Sequence, residues 1–386
     1  MFFTTLLPFI PYVLPVLPEQ IFGFNLTGWA WIIMLFVSVF NLFFTRTITF
    51  PIMIWLPWML YLIGYLVYDF SLLGLQLTLQ YILPLLIGIV GSGFAYTEEE
   101  IVWLFKWLLR VCSLVILMFI YGYLFRSGYT PAASAAPMLL TLAFSILIGL
   151  YFSSKNLIYM ILAGVVFLIP VIENTRMGIA AMAAIFVIHF ANNNVISKIV
   201  FSFVGILIFL IIFNTNKFQE KTFISGSGTL KELTFNYYDN PNIRITGRIS
   251  WKKALDPGLE QAPVWGNGPR SDFQKLVEVT GLRTGEAHND YMSVRYNYGY
   301  VGLGLLLGAF IITFISLFRI SLSASDKNHI WLITVSTLPL FISFLMFMYT
   351  DNILKYTIYF PNYFFALIGI IYSIKSDEDF SSYTTV

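Results

Sequence analysis

Charged residues are scarce in this chain: Asp, Glu, Lys and Arg make up 11% of 386 residues, against 58% hydrophobic and 18% aromatic. The polar surface needed to coat a soluble domain is missing, and the mean hydropathy of +0.79 excludes a water-soluble fold. There is one cysteine, Cys112, so no intrachain disulfide can form. The apolar run around Cys112 gives it the character of a small buried hydrophobe. Histidines number three, and no His-Glu-x-x-His or Cys/His cluster occurs. No metal signature is present, therefore, and no cofactor is expected. Serines are plentiful, yet none stands in a Gly-x-Ser-x-Gly elbow. Internal repeats and low-complexity segments are lacking too. The net charge of +2, divided between two sides of a membrane, supplies no argument for a nucleic-acid partner, and none is expected.

Apolar runs are what the chain has in abundance. A spanning helix needs about 20 predominantly apolar residues. That length predicts helices near 3–18, 26–44, 50–67, 73–93, 103–124, 134–152, 156–172, 175–193, 197–213, 296–318, 330–350 and 355–374. The expected fold is an all-α polytopic membrane protein of about 12 transmembrane helices, with a large extracytoplasmic loop between helices 9 and 10. The N-terminus has no positive residue ahead of its apolar run and prolines at 8, 11, 15 and 18. It is expected to remain as a short, Pro-kinked first span and not to be cleaved as a signal peptide. With the N-terminus in the cytoplasm, Arg46, Lys106, Arg110, Lys155, Lys198, Arg319, Lys327 and Lys375 fall inside, and Arg126, Arg176 and Lys355 outside. This imbalance predicts both termini in the cytoplasm and an outward-facing loop. The acidic runs Glu98–Glu100 and Asp377–Asp379 read as solvated faces on the inner side.

The expected organisation is helices 1–9 over residues 1–213, a catalytic loop with short helices over 214–295, and helices 10–12 with a cytoplasmic tail over 296–386. The loop changes character completely: residues 214–290 carry 10 basic and 9 acidic side chains. A loop this long is unusual unless functional or disordered. Tyr237, Tyr238, Trp251, Leu255, Val264, Trp265, Phe273 and Leu276 supply apolar anchors that argue against disorder. The segment SWKKALD predicts a short helix with Trp251 and Leu255 on one face. Gly266-Asn267-Gly268, followed at once by Pro269, reads as a turn.

Three residues are candidates to carry chemistry, two in this loop and one at the outward start of the eighth span. His288, in Glu-Ala-His-Asn-Asp-Tyr before the tenth span, sits at the outer interface and is able to take a proton at neutral pH, with Asp290 or Glu286 to orient it. Arg176 opens the eighth span in apolar surroundings, where an unpaired arginine costs a few kcal/mol; an ion pair with Glu173 is the plainer alternative. Arg248, with Arg244 four residues before it and Lys252 four after, offers a planar fork suited to phosphate oxygens. Arg295, two helical turns past His288, is expected on the same face. A general base beside arginines suits attack of a hydroxyl on a carbon that loses a diphosphate.

These residues resemble, in order and topology, the O-antigen ligase/polymerase superfamily. The motifs are Thr175-Arg176, Gly247-Arg248 running on to Trp251, Gly266-Asn267-Gly268, His288-Asn289-Asp290-Tyr291, and Gly299 with Gly302. The resemblance implies a metal-independent, C-class glycosyltransferase of the bacterial inner membrane, its loop periplasmic, using an undecaprenyl-diphosphate-linked glycan as donor. It implies that Arg176 and Arg248 bind the diphosphate and that His288 activates or positions the acceptor hydroxyl, with Arg244, Asn289, Asp290, Tyr291 and Arg295 in support. The acceptor is a second glycan in a polymerase of O-antigen or exopolysaccharide, or the lipid A core in a ligase. A flippase and a chain-length regulator are expected partners. The polymerase is preferred because the histidine motif looks closer to polymerase members. A transporter of lipid-linked glycan is the competing class; it would move its substrate unchanged, whereas transfer lengthens a glycan and releases undecaprenyl diphosphate.

Overall fold

The structure is a computed structural model that describes residues 1–10, 20–21, 24–45, 47–125, 135–172, 175–190, 203, 207, 210–235, 242–243, 248–281, 286–323 and 329–384. After a short α1 (Phe2–Leu6) and a 3-10 turn (Leu7–Phe9), a two-residue hairpin pairs β1 (Gln20–Ile21) with β2 (Phe24–Asn25). Apolar helices then follow: α2 (Leu26–Leu42), α3 (Ile52–Tyr68), α4 (Leu72–Gly91), α5 (Glu98–Phe125), α6 (Ala135–Ser154), α7 (Leu157–Ile172) and α8 (Arg176–Phe190). Four helices too short to span come next: α9 (Asn216–Thr222), α10 (Leu230–Phe235), α11 (Arg248–Gln261) and α12 (Ser271–Thr280). The long helices α13 (Asp290–Ser323), α14 (His329–Thr350) and α15 (Pro361–Thr384) close the described chain.

Among the described residues, five helices are long and apolar enough to cross a membrane, and four shorter apolar helices accompany them. The chain is an all-α membrane protein. Most of the expected ninth span, 197–213, lies outside the described residues, as does the end of the first. The tenth was expected from 296, but α13 begins at Asp290 because Asn289 caps it, accepting from the Met292 N–H at 3.0 Å. Helix starts elsewhere follow the same chemistry. Asn25 caps α2 and Ser71 caps α4, while Thr97 and Glu100 form a reciprocal capping box at the start of α5.

Helices apolar all round bury or face lipid according to their neighbours. Phe310 of α13 meets Phe344 of α14 at 4.8 Å between ring centroids, and Phe344 meets Phe364 of α15 at 5.1 Å. The α4 and α15 backbones nearly touch: a Cβ on Gly369 would lie 2.2 Å from the Gly88 carbonyl oxygen, the close approach that small residues permit between membrane helices.

The directions of α6, α8 and α14 fix the ends of the bundle. The start of α8 lies by the start of α6, where a Cβ on Gly178 would meet Pro137, and the two helices' far ends meet as Phe152 stacks on His189 at 5.4 Å. By contrast the later half of α6 meets the first half of α14, where Ser145 Oγ donates to the Ser336 carbonyl at 2.6 Å. The helix α8 also packs on α14, and in the expected orientation Arg176 and the Thr350 end of α14 stand at the same end of the bundle.

Candidate active site

At that end α13 is broken. Gly299 adopts φ 65° and ψ −169°, inside what is otherwise one 34-residue helix. Only glycine is at ease there, and a Cβ would lie 2.1 Å from the Val264 carbonyl oxygen. The break strips partners from helix carbonyls and amides, and the 263–268 segment replaces them. Asn267 N–H donates to the Tyr296 carbonyl at 2.8 Å and Gly268 N–H to Asn297 at 3.0 Å. In return the Tyr300 and Val301 amides donate to Pro263 and Val264 at 2.9 and 3.1 Å. Tyr61 of α3 closes the set, its hydroxyl donating to the Tyr298 carbonyl at 3.0 Å. The Gly-Asn-Gly segment is thus more than a turn: it mends a helix that would otherwise bury orphaned polar groups.

Beneath it Asp272 and Asn297, both fully buried, exchange two hydrogen bonds of 2.9 Å that join α12 to α13. Trp251, Leu255, Leu259, Leu276, Ala287, Met292 and Tyr296 form a separate small core, with Trp251 and Leu255 on one face as their spacing predicted. Glu286 takes a bidentate fork from Arg270, at 2.7 and 3.2 Å, and the Lys355 ammonium at 2.5 Å. Lys355 also lies 3.7 Å from Asp272. Burial works to raise both carboxyls, but the Lys355 and Arg270 cations outweigh it and hold Glu286 and Asp272 below their ordinary values.

His288 lies between these anchors. Its φ of 45° is in the left-handed region, so it is not part of the helix, and the expected common face with Arg295 does not form. Its Nδ1 is 3.2 Å from Asp351 Oδ1, its ring centroid is 5.2 Å from that of Trp251, and its side chain is 36% exposed. The carboxylate beside the imidazole is therefore Asp351, not Asp290 or Glu286. Asp290 is fully buried and accepts from the Leu354 N–H at 2.9 Å, while Glu286 is engaged by Arg270 and Lys355. Asn289 caps α13, and Tyr291 donates to the Leu345 carbonyl at 3.0 Å. The Arg295 guanidinium lies over Tyr300 at 4.4 Å.

Arg176 opens α8 and donates to the Lys221 carbonyl at 3.1 Å, its guanidinium over Phe218 at 5.4 Å. Glu173, its expected partner, lies outside the described residues, as does Arg244. Arg248 is the first residue of α11, the helix that brings Trp251 to His288. Sequence reasoning missed Asp351 and gave Lys355 no role beyond the charge balance. The signal available was position: the turn between the last two predicted spans falls on the same side as His288.

Residues 160–307, from α7 to the middle of α13, match the family described as O-Antigen ligase. Over this stretch, less than half of the chain, the sequence is similar to that family, which supports the resemblance to the O-antigen ligase/polymerase superfamily. The match includes Arg176, Arg248 and His288 and stops short of Asp351 and Lys355. The match supports an enzyme of the ligase or polymerase type, glycosyltransferase-like, in a membrane, and the family implies lipid-linked glycan substrates. No curated protein matches the chain.

Proposed function

We infer that the chain transfers a glycan from an undecaprenyl-diphosphate carrier to an acceptor hydroxyl, and that it polymerises repeat units of an O-antigen or exopolysaccharide. The observation that carries the reading is the His288–Asp351 contact of 3.2 Å, formed at the end of the bundle where α8 begins with Arg176. With the Nδ1 proton directed at Asp351, the Nε2 lone pair is left to accept a proton. The acceptor oxygen attacks the anomeric carbon, its proton passes to His288 Nε2, and the bond from that carbon to the diphosphate oxygen breaks. Undecaprenyl diphosphate leaves with the bonding pair, and the anomeric centre inverts. Arg176 and Arg248 stabilise the charge growing on the leaving diphosphate in place of a metal.

In this reading the 214–295 segment is the catalytic loop and faces the periplasm, the helices on either side are its scaffold in the bacterial inner membrane, and both termini are cytoplasmic. The test is to incubate the purified protein with a defined undecaprenyl-diphosphate repeat unit, without lipid A core, and to resolve the products on a gel. A ladder supports the polymerase. No ladder, but transfer once core lipid is supplied, makes the chain a ligase; silence in both arms removes the transfer reading.

A further inference from the structure

His288 holds a backbone conformation that a residue with a side chain seldom adopts. Such strain persists only where the surroundings over-determine it. Three alternate residues of the segment, Glu286, His288 and Asp290, are each met by the single turn that joins α14 to α15. Lys355 and Asn352 take Glu286, at 2.5 and 3.4 Å, Asp351 takes His288, and the Leu354 amide takes Asp290. The histidine is thus pinned two residues before and two residues after itself by the same turn that presents its carboxylate partner.

Lys355 is the centre of this clamp. It is 8% exposed, and among the described residues it is the one cation within ion-pair distance of both Glu286 on the histidine segment and Asp272 on α12. Arg270 neutralises Glu286 from the other side, but it lies on the loop and ties the segment to nothing in the 351–355 turn. Lys355, lying on the turn, reaches both the segment and the loop helix.

We propose that Lys355 is a positioning residue for the transfer, holding the Glu286–Asp290 segment against the 351–355 turn so that His288 and Asp351 meet. The inference rests on the reading of His288 as the group that receives the acceptor's proton. Lys355 acts through that pair, so its loss lowers kcat and leaves the donor KM, set by the arginines, nearly unchanged. Its effect also depends on Asp351 being there to be positioned.

The experiment is a double-variant cycle on the full-length protein, reading kcat and KM for the donor. Lys355→Met is expected to lower kcat by about thirtyfold, with Lys355→Arg recovering a large part of it. Lys355→Met in an Asp351→Asn background should cost at most a further threefold. Losses that multiply in the double variant, or an equal rise in donor KM, overturn the proposal. Glu286→Gln keeps the shape of the clamp and removes only charge. It guards against a Lys355→Met protein that does not fold: kcat should fall by about tenfold, and an unchanged kcat also overturns the proposal. Failure of the underlying reading looks different, because His288→Ala would then transfer glycan as well as the unaltered protein.

Discussion

The two halves of the 214–295 segment are held to the bundle in opposite ways. The half that carries His288, α11 and α12 with the start of α13, is fastened by buried ion pairs, by Asp272 with Asn297, and by a backbone exchange that mends α13. The half that meets Arg176, α9 and α10, has a core of Phe213, Phe218, Phe223 and Ile243. Exposed bonds tie it to α7 and α8: Lys217 donates to the Ile172 carbonyl at 3.4 Å and Arg176 to the Lys221 carbonyl at 3.1 Å. Bonds of that kind contribute about 1 kcal/mol each and exchange readily with water or a ligand, whereas breaking a buried ion pair costs about 3–5 kcal/mol. Fixed geometry thus surrounds the residue read as the proton acceptor, and adaptable contacts surround the residue read as a diphosphate ligand.

The largest effect should come from the fixed half. His288→Ala is expected to lower transfer by about a thousandfold with an unchanged melting curve; near-normal transfer would end its catalytic role. Gly299→Ala attacks the same half through its backbone. A methyl group 2.1 Å from the Val264 oxygen, in a conformation nearly closed to alanine, should destabilise the protein by about 3 kcal/mol in thermal unfolding. Acid probes the ion pairs of this half. Glu286 and Asp272 are both held below their ordinary values of 4.5 and 3.8, so the stability they contribute is complete above that range and is lost as pH falls through the lowered values. The melting temperature should hold from pH 7 to about 5 and drop below about 4, with the drop moved to higher pH in Lys355→Met. The adaptable half should respond more gently. Arg176→Lys keeps the charge and loses the fork, and should slow transfer by about tenfold, as should Arg248→Lys at the start of α11 in the fixed half; lysine working as well as arginine at both positions would dismiss the diphosphate clamp. Lys217→Met, which removes one exposed bond, should change stability by less than about 1 kcal/mol and transfer hardly at all.

The helices were legible because a bilayer imposes one length on every span. Residues 26–44 and 50–67 were expected, and Leu26–Leu42 and Ile52–Tyr68 are helical. His288 was legible because polar residues that stand out from so apolar a chain are few. Asp351, 63 residues further on, was not. Its pairing depends on α13 and α14 folding back on each other, and nothing local at Thr350-Asp351-Asn352 records which loop it will meet. The break at Gly299 was hidden for a related reason. A glycine in an apolar run is common, and what marks this one is Val264 pressed against it from a distant segment.

The separation of His288 from its carboxylate has a bearing on how the protein is made. Synthesis delivers the histidine first, and its partners Asp351, Asn352, Leu354 and Lys355 arrive only with the turn between the last two long helices. A chain stalled before that turn already carries every residue of the 160–307 match but lacks the His288–Asp351 contact on which the proposed proton transfer rests. Completion of the site therefore waits on the insertion of α13 and α14, the two long helices that separate the histidine from its carboxylate, and in the proposed reading transfer begins only once both are in place.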